Sequence, residues 1–218
     1  MNITLRPELE TLPARLKKLP LDERGYPVPW FVAWIDGKPE FRAADSTKFV
    51  RAIKEKRCYV CGDPLGVHLC FVAGPMCGIN RTSAEPPCHY ECARWSALNC
   101  PFLNNPQMVR REDEAINNEA LREQGRGLPL ARNPGVTLLW ITKGYEVFDP
   151  GNGGRLITMG EPERVEWYRE GRTATRAEVE ESIASGLPSL EVAARSQPGA
   201  MAALERAIQR FERWLPNE

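Results

Sequence analysis

Hydrophobic and polar positions repeat with two different periods along this chain, and the changes of period mark its elements. Trp30-Phe31-Val32-Ala33-Trp34-Ile35 is aromatic and β-branched, Asp36-Gly37 is a two-residue turn signal, and Glu40-Phe41-Arg42 can return alongside, so a β-hairpin is predicted. Asp45 or Ser46 then caps a helix to about Lys56, with Phe49, Val50 and Ile53 on its inner face. Leu69 to Ala73 is a short apolar run between the turn signals Gly62-Asp63-Pro64 and Gly74-Pro75, and reads as a strand. After Pro86-Pro87, residues His89 to Leu98 have the composition of a short helix.

The second half has its own pattern. Val136 to Thr142 and Tyr145 to Phe148 are strand-like, and Pro150-Gly151-Asn152-Gly153-Gly154 turns the chain into Arg155 to Met159, which predicts a three-stranded meander. Pro162 fits the first turn of a helix ending near Gly171. Thr175 and Glu178 form a capping box for a further helix that Gly186 and Pro188 should stop. The last helix, about Pro198 to Leu215, lines up Met201, Leu204, Ile208, Phe211 and Leu215 as one apolar stripe, which suits a core and not a membrane.

Between these patterned regions the chain changes character. Pro7, Pro13, Pro20 and Pro27, with Pro29 close behind, favour an extended lead-in over residues 1–27. Asn104-Asn105-Pro106 and Gly125-Arg126-Gly127 mark residues 104–133 as a polar linker holding one acidic helix around Glu112 to Gln124. The expected organisation is therefore a lead-in at 1–27, a zinc-binding module at 28–103, the linker, and a β-meander with helices at 134–218. The fold class is α+β: a zinc-stabilised, treble-clef-like module beside a small antiparallel sheet with packed helices.

Composition narrows the classes. With 42% hydrophobic and 27% charged residues, the chain is folded, while 19 prolines and 17 glycines make it rich in loops. No apolar run approaches the ~18 residues that cross a bilayer. Met1 to Leu12 carries Arg6, Glu8 and Glu10 where a signal peptide needs an apolar core, so a cytoplasmic protein without a membrane partner is expected. Formal net charge is zero, yet residues 1–111 hold 16 Lys and Arg against 11 Asp and Glu, and residues 112–218 hold 13 against 18. Nucleic-acid binding would accordingly be local to the first half.

All seven cysteines lie between Cys58 and Cys100, an odd and clustered set unlike a secreted disulfide framework. Cys58 and Cys61 form C-x2-C, and His89 and Cys92 form H-x2-C after an interval of 27 residues. Two short-spaced pairs of soft ligands are what a closed four-coordinate structural Zn2+ site requires. Cys88 with Cys92 is an alternative second pair, and His89 is preferred because its spacing mirrors the first. Cys77 and Cys100 read as buried reduced thiols and Cys70 as core.

Other candidates are less specific. Arg51, Lys54, Lys56 and Arg57 end the helix before the knuckle, and with Arg81 and Arg94 they could contact phosphates, although cations at a helix C-terminus also complement its dipole. Arg110-Arg111 beside Glu112-Asp113-Glu114 reads as a solvated charge cluster. The six tryptophans are scattered, without the aromatic and basic interleaving of a stacking platform. Gly151-Asn152-Gly153-Gly154 lacks the following Lys-Ser/Thr of a phosphate loop.

Small nucleases of the HNH type are similar in outline, with a treble-clef knuckle framing a catalytic His and an Asp or Asn that holds a divalent ion. That resemblance implies His68 as base, with Asp63, Asn80 or Glu91 as partner, although this chain has Val67-His68-Leu69 where that family shows Asp-His or His-His.

More of the chain resembles an uncharacterised group of bacterial and phage zinc-binding proteins. The likeness is carried by Cys58-Tyr59-Val60-Cys61-Gly62-Asp63-Pro64-Leu65-Gly66, Gly74-Pro75-Met76-Cys77, Glu85-Pro86-Pro87 and Cys100-Pro101-Phe102-Leu103, then by Trp167-Tyr168-Arg169-Glu170-Gly171-Arg172 and Ala174-Thr175-Arg176-Ala177-Glu178-Val179. It implies a bacterial or phage cytoplasm and carries no activity. The expectation is a non-enzymatic zinc-stabilised regulator that contacts nucleic acid or a host protein. The alternatives are the His68 nuclease and an inhibitor of a host process acting through the acidic C-terminal half.

Overall fold

The computed structural model describes residues 5, 9, 12–105, 133, 135–151 and 154–217. The acidic helix expected around Glu112 to Gln124 lies outside the described residues. Among those residues the fold is α+β, with five α-helices and small sheets whose pairings are all antiparallel.

The hairpin forms as the sequence predicts. β1 (Val32–Ile35) pairs with β2 (Lys38–Ala44), and Asp36 and Gly37 both take positive φ, 50° and 75°, which is the primed turn that an Asp-Gly pair supports. α1 (Ser46–Lys54) follows, its first turn closed by Asp45, whose side chain accepts from the backbone N–H of Thr47 and Lys48. The lead-in contributes a short 3-10 turn, Ala14–Leu16, that buries Leu16 against the same core as Phe49 and Tyr59.

The central sheet runs β3 (Leu69–Ala73), β5 (Thr137–Thr142), β8 (Pro162–Arg169) and β9 (Arg172–Thr173) in that order. All six residues of β5 are buried, and they serve two cores by simple alternation. Leu139 and Ile141 join a first core with Cys58, Tyr59, Cys92 and Trp95, while Leu138 and Trp140 join a second with Phe71, Ile157 and Trp167. A strand covered on both faces reads as the continuous apolar run seen in the sequence. Strands from the first and second halves of the chain are thus neighbours in one sheet, with Phe71 opposite Trp140.

Four expectations are corrected, the last of them on α4 below. The meander of β5, β6 (Tyr145–Phe148) and β7 (Leu156–Met159) does not form: β6 and β7 pair, but with β4 (Thr82–Ser83) as their third strand, while β5 is taken by β3 and β8. The segment from Pro162 is strand and not helix, because its backbone completes the ladder along β5 and a proline is tolerated as the first residue of a strand. Gly74-Pro75 opens a six-residue helix, α2 (Pro75–Asn80), with Pro75 at its first position, where the missing N–H costs nothing.

α3 (Tyr90–Asn99) covers the first-core face of the central sheet. α4 (Arg176–Arg195) and α5 (Ala200–Phe211) join α2 on the second core. The capping box of Thr175 and Glu178 is made in full. Gly186 and Pro188 do not stop α4, since Ile183, Leu187 and Leu190 continue an apolar face past them onto the second core. The stripe on α5 docks as expected, with Phe211 stacked on Trp140 at 6.5 Å between centroids and edge-on to Trp167 at 5.9 Å.

Candidate metal centre

Cys58 and Cys61 sit on a tight loop just after α1. The Gly62 N–H donates to the Cys58 carbonyl at 2.8 Å and the Cys58 N–H to the Asp63 carbonyl at 2.8 Å, which folds the loop back on itself. Gly62 has φ +78°, and a Cβ there would lie 2.8 Å from Cγ of Trp30, so both backbone angle and space demand glycine. The second pair comes from the start of α3, with His89 as its N-cap residue and Cys92 in its first turn.

The four donor atoms of Cys58, Cys61, His89 and Cys92 all lie within 4.8 Å of one another. No other group of three or more His, Cys, Asp or Glu side chains converges in this way among the described residues. Three sulfurs and one imidazole nitrogen form a donor set that could hold a metal ion. The surroundings fit that use. Cys58 Sγ accepts from the backbone N–H of Cys61 and of His89, each at 3.4 Å, bonds that stabilise negative charge on a ligand sulfur. His89 turns Nδ1 toward Cys61 Sγ at 3.4 Å and sets Nε2 3.0 Å from the Pro64 carbonyl oxygen. A carbonyl only accepts, so Nε2 carries a proton, and Nδ1 is the nitrogen that would offer a lone pair to a cation.

Proton sharing within the cluster points the same way. Cys58 is pushed down, by its hydrogen bond with Cys61 first and then by Cys88, Cys92 and His89, and Cys92 is pushed up by Cys58 in turn. His89 is raised to about 10, by Cys58 first. Cys92 and His89 are thus held toward their protonated forms by the Cys58 sulfur, where thiolates and a neutral imidazole could instead hold a cation. Cys58, Cys61 and Cys92 are 0%, 2% and 0% exposed, while His89 is half-buried.

The remaining sequence candidates are distributed around this centre. Cys88 is buried and adjoins Cys58, but its backbone bridges Cys70 in β3 and it is not one of the four converging donors. Burial raises Cys77 and Cys100, and raises Cys70 further. Asp63 is held by Lys18 and by Arg15, and Arg15 also bonds Glu91 at 2.8 Å, so the lead-in straps both sides of the knuckle. His68 pairs with Glu163 at 3.1 Å, and Asn80 accepts from the Thr82 N–H at 2.9 Å. His68 therefore has a partner that none of Asp63, Asn80 and Glu91 shares.

Of the six basic candidates, four are engaged. Arg51 and Arg57 share Glu55, which they hold down to about 2, Arg51 first. Arg57 also donates to the Gly62 carbonyl at 2.9 Å, bracing the knuckle. Arg81 donates twice to the Met159 carbonyl and once to Glu161, and Arg94 is raised by its hydrogen bond with Tyr168. Lys54 and Lys56 are exposed and have no ion-pair partner among the described residues. Sequence reasoning missed the Pro64 carbonyl that orients His89; its one signal was the proline three residues past Cys61.

No helix of the described residues is long and apolar enough to cross a membrane. No protein-family model, curated protein or solved structure matches the chain.

Proposed function

We propose that this chain is a non-enzymatic binding protein built around a structural zinc ion, acting as a bacterial or phage regulator in the cytoplasm with nucleic acid as its partner. The observation that carries the reading is the closed donor set: four ligands, the three sulfurs fully enclosed, suit a metal that stabilises a fold and leave no coordination position for a reactant. Zinc fits three thiolates and one imidazole with no redox demand, and Cys58, Cys61, His89 and Cys92 would hold it. Bound there, it would supply folding energy to the loop between α1 and β3.

The local layout is treble-clef-like. A knuckle gives the first pair, β3 leads away, the bridge between Cys70 and Cys88 brings the chain back, and the first turn of α3 gives the last ligand, with α2 and β4 inserted. Lys54 and Lys56 beside the knuckle favour a phosphate-bearing partner, to which each would add salt-dependent affinity.

The test is a native-gel assay of zinc-loaded protein with duplex and single-stranded DNA and RNA, with and without magnesium, at two salt concentrations. The expected result is one zinc per chain and a salt-sensitive shift without cleavage, weakened by Lys54→Ala/Lys56→Ala. Cleavage lost in His68→Ala would overturn the non-enzymatic reading, and no shift at low salt would remove nucleic acid as the partner.

A further inference from the structure

A second basic surface joins Arg81 to arginines of the last helix, in the half that carries the excess of acids. A cleft opens where α5 and the 3-10 turn after it, Glu212–Trp214, approach α2 and the end of β7, and Arg81, Arg210 and Arg213 line it above Ile79, Phe211 and Trp214. Two of these guanidiniums meet on one carboxylate. Arg81 Nη1 donates to Glu161 Oε2 at 2.8 Å and Arg213 Nη2 to Glu161 Oε1 at 2.5 Å.

Glu161 is 60% exposed, so the carboxylate stands in water at the mouth of the cleft and is not a buried structural counter-ion. Both arginines have supports that do not depend on it. Arg81 donates Nε and Nη2 to the Met159 carbonyl at 3.1 and 2.9 Å, and Arg213 lies over the Trp214 ring at 5.0 Å. Arg210 has no ion-pair partner among the described residues, and neither has Arg206, one helical turn earlier on the same face. Glu205 and Glu212 precede Arg206 and Arg213 by one residue and are turned about 100° away around the helix. Three arginines thus line a cleft with one solvent-exposed acid, and Arg206 lies outside it on α5.

We propose that this cleft is a phosphate-contacting site for a single nucleic-acid strand, its arginines kept in place by the Glu161 carboxylate until a phosphodiester takes that position. Two carboxylate oxygens bridging two guanidinium forks mark where two phosphate oxygens would be received. The partnerless cations continue outside the cleft along α5, rising ~6 Å from Arg206 to Arg210. Such a row suits a ligand with anions in series better than a lone phosphate. The inference rests on the nucleic-acid reading above and adds a contact surface to it.

The test is fluorescence anisotropy of a labelled single-stranded oligonucleotide titrated with full-length, zinc-loaded protein over a range of salt. Arg206→Ala/Arg210→Ala is expected to weaken binding about tenfold and to flatten the slope of log affinity against log salt by about 0.7 per arginine. Glu161→Gln is expected to tighten binding, and zinc content and Tm confirm that the variants fold. Unchanged affinity in both variants, with loss in Lys54→Ala/Lys56→Ala, would overturn the cleft and leave nucleic-acid binding intact. Absence of any wild-type binding would overturn both. Displacement of the oligonucleotide by inorganic phosphate at concentrations that leave ionic strength unchanged would overturn the strand in favour of a small anion.

Discussion

At the scale of single residues the cluster behaves as a unit, and its members are not equivalent to their neighbours. Cys58 is the sulfur on which the other donors and two backbone N–H groups converge, so Cys58→Ser is expected to abolish stoichiometric zinc binding, as read by metal analysis of purified protein. Structural zinc sites in small peptides contribute ~10–16 kcal/mol of apparent binding energy, so this variant should also unfold at a lower temperature. Cys88→Ser should keep one zinc per chain, because Cys88 lies beside the donors and is tied to β3 through its backbone. Retention of zinc in Cys58→Ser but not in Cys88→Ser would reverse the assignment. Because thiols must lose protons to bind a cation, zinc affinity should fall as pH falls, which competition with a chromogenic chelator would measure.

Glu178 gives a pH effect of its own. Arg172 first, then the Thr175 N–H, holds its carboxyl at about 2 instead of 4.5. A depressed carboxyl stabilises the fold above its ordinary value, and that contribution disappears as pH falls through the folded one. The Tm advantage of wild type over Glu178→Gln should therefore shrink between about pH 4.5 and 2. The acid lability of the zinc site is common to both proteins and cancels in the difference. Arg172 is half exposed, so solvent screens the pair and the effect is small.

At the scale of elements, legibility followed how local each cause was. The hairpin of β1 and β2 was readable because Asp36-Gly37 determines it within two residues, and α1 and the capping box at Thr175 were readable for the same reason. Pro162 misled because it is equally at home at the start of a helix or of a strand, and the choice was made by β5, which lies about twenty residues away in sequence and supplies the ladder. Pro188 misled because the apolar face of α4 outlasts it. The four converging donors were legible from spacing alone, whereas the cleft was not. Its arginines come from residue 81 and from the last helix, and a tally by halves averages those cations against acids on other faces.

One element prediction tests the packing directly. Gly78 in α2 faces Leu138 and Phe211, and a Cβ there would lie 2.6 Å from a carbon of each. Gly78→Ala gains about 1 kcal/mol of helix propensity but overpacks two buried side chains, a cost of about 1–3 kcal/mol. The expected outcome is a lower Tm by calorimetry, and a higher Tm would mean that the helix shifts to accept the methyl.

At the scale of the molecule, the cysteine and histidine cluster and the distant helices share β5. Its odd residues complete the core around the knuckle and its even residues the core beneath α5. Removing zinc with a chelator should therefore loosen both cores together. The expected signature is one thermal transition, shifted to lower temperature, in which the fluorescence of buried Trp140 and Trp167 changes along with the far-UV signal. Two separated transitions would mean that the second core stands alone.

The pairing of β3 with β5 also orders events in time. Every donor has been synthesised once Cys92 is made, yet the strand that completes the sheet beside β3 begins at Thr137. During translation the knuckle can close while one edge of β3, carrying Cys70 and Phe71, still waits for its partner. An unpaired apolar edge invites the wrong neighbour. Supply of the metal to the emerging chain would then bear on yield as much as on stability, since β3, anchored early to the segment before α3, has fewer ways to pair wrongly before β5 arrives.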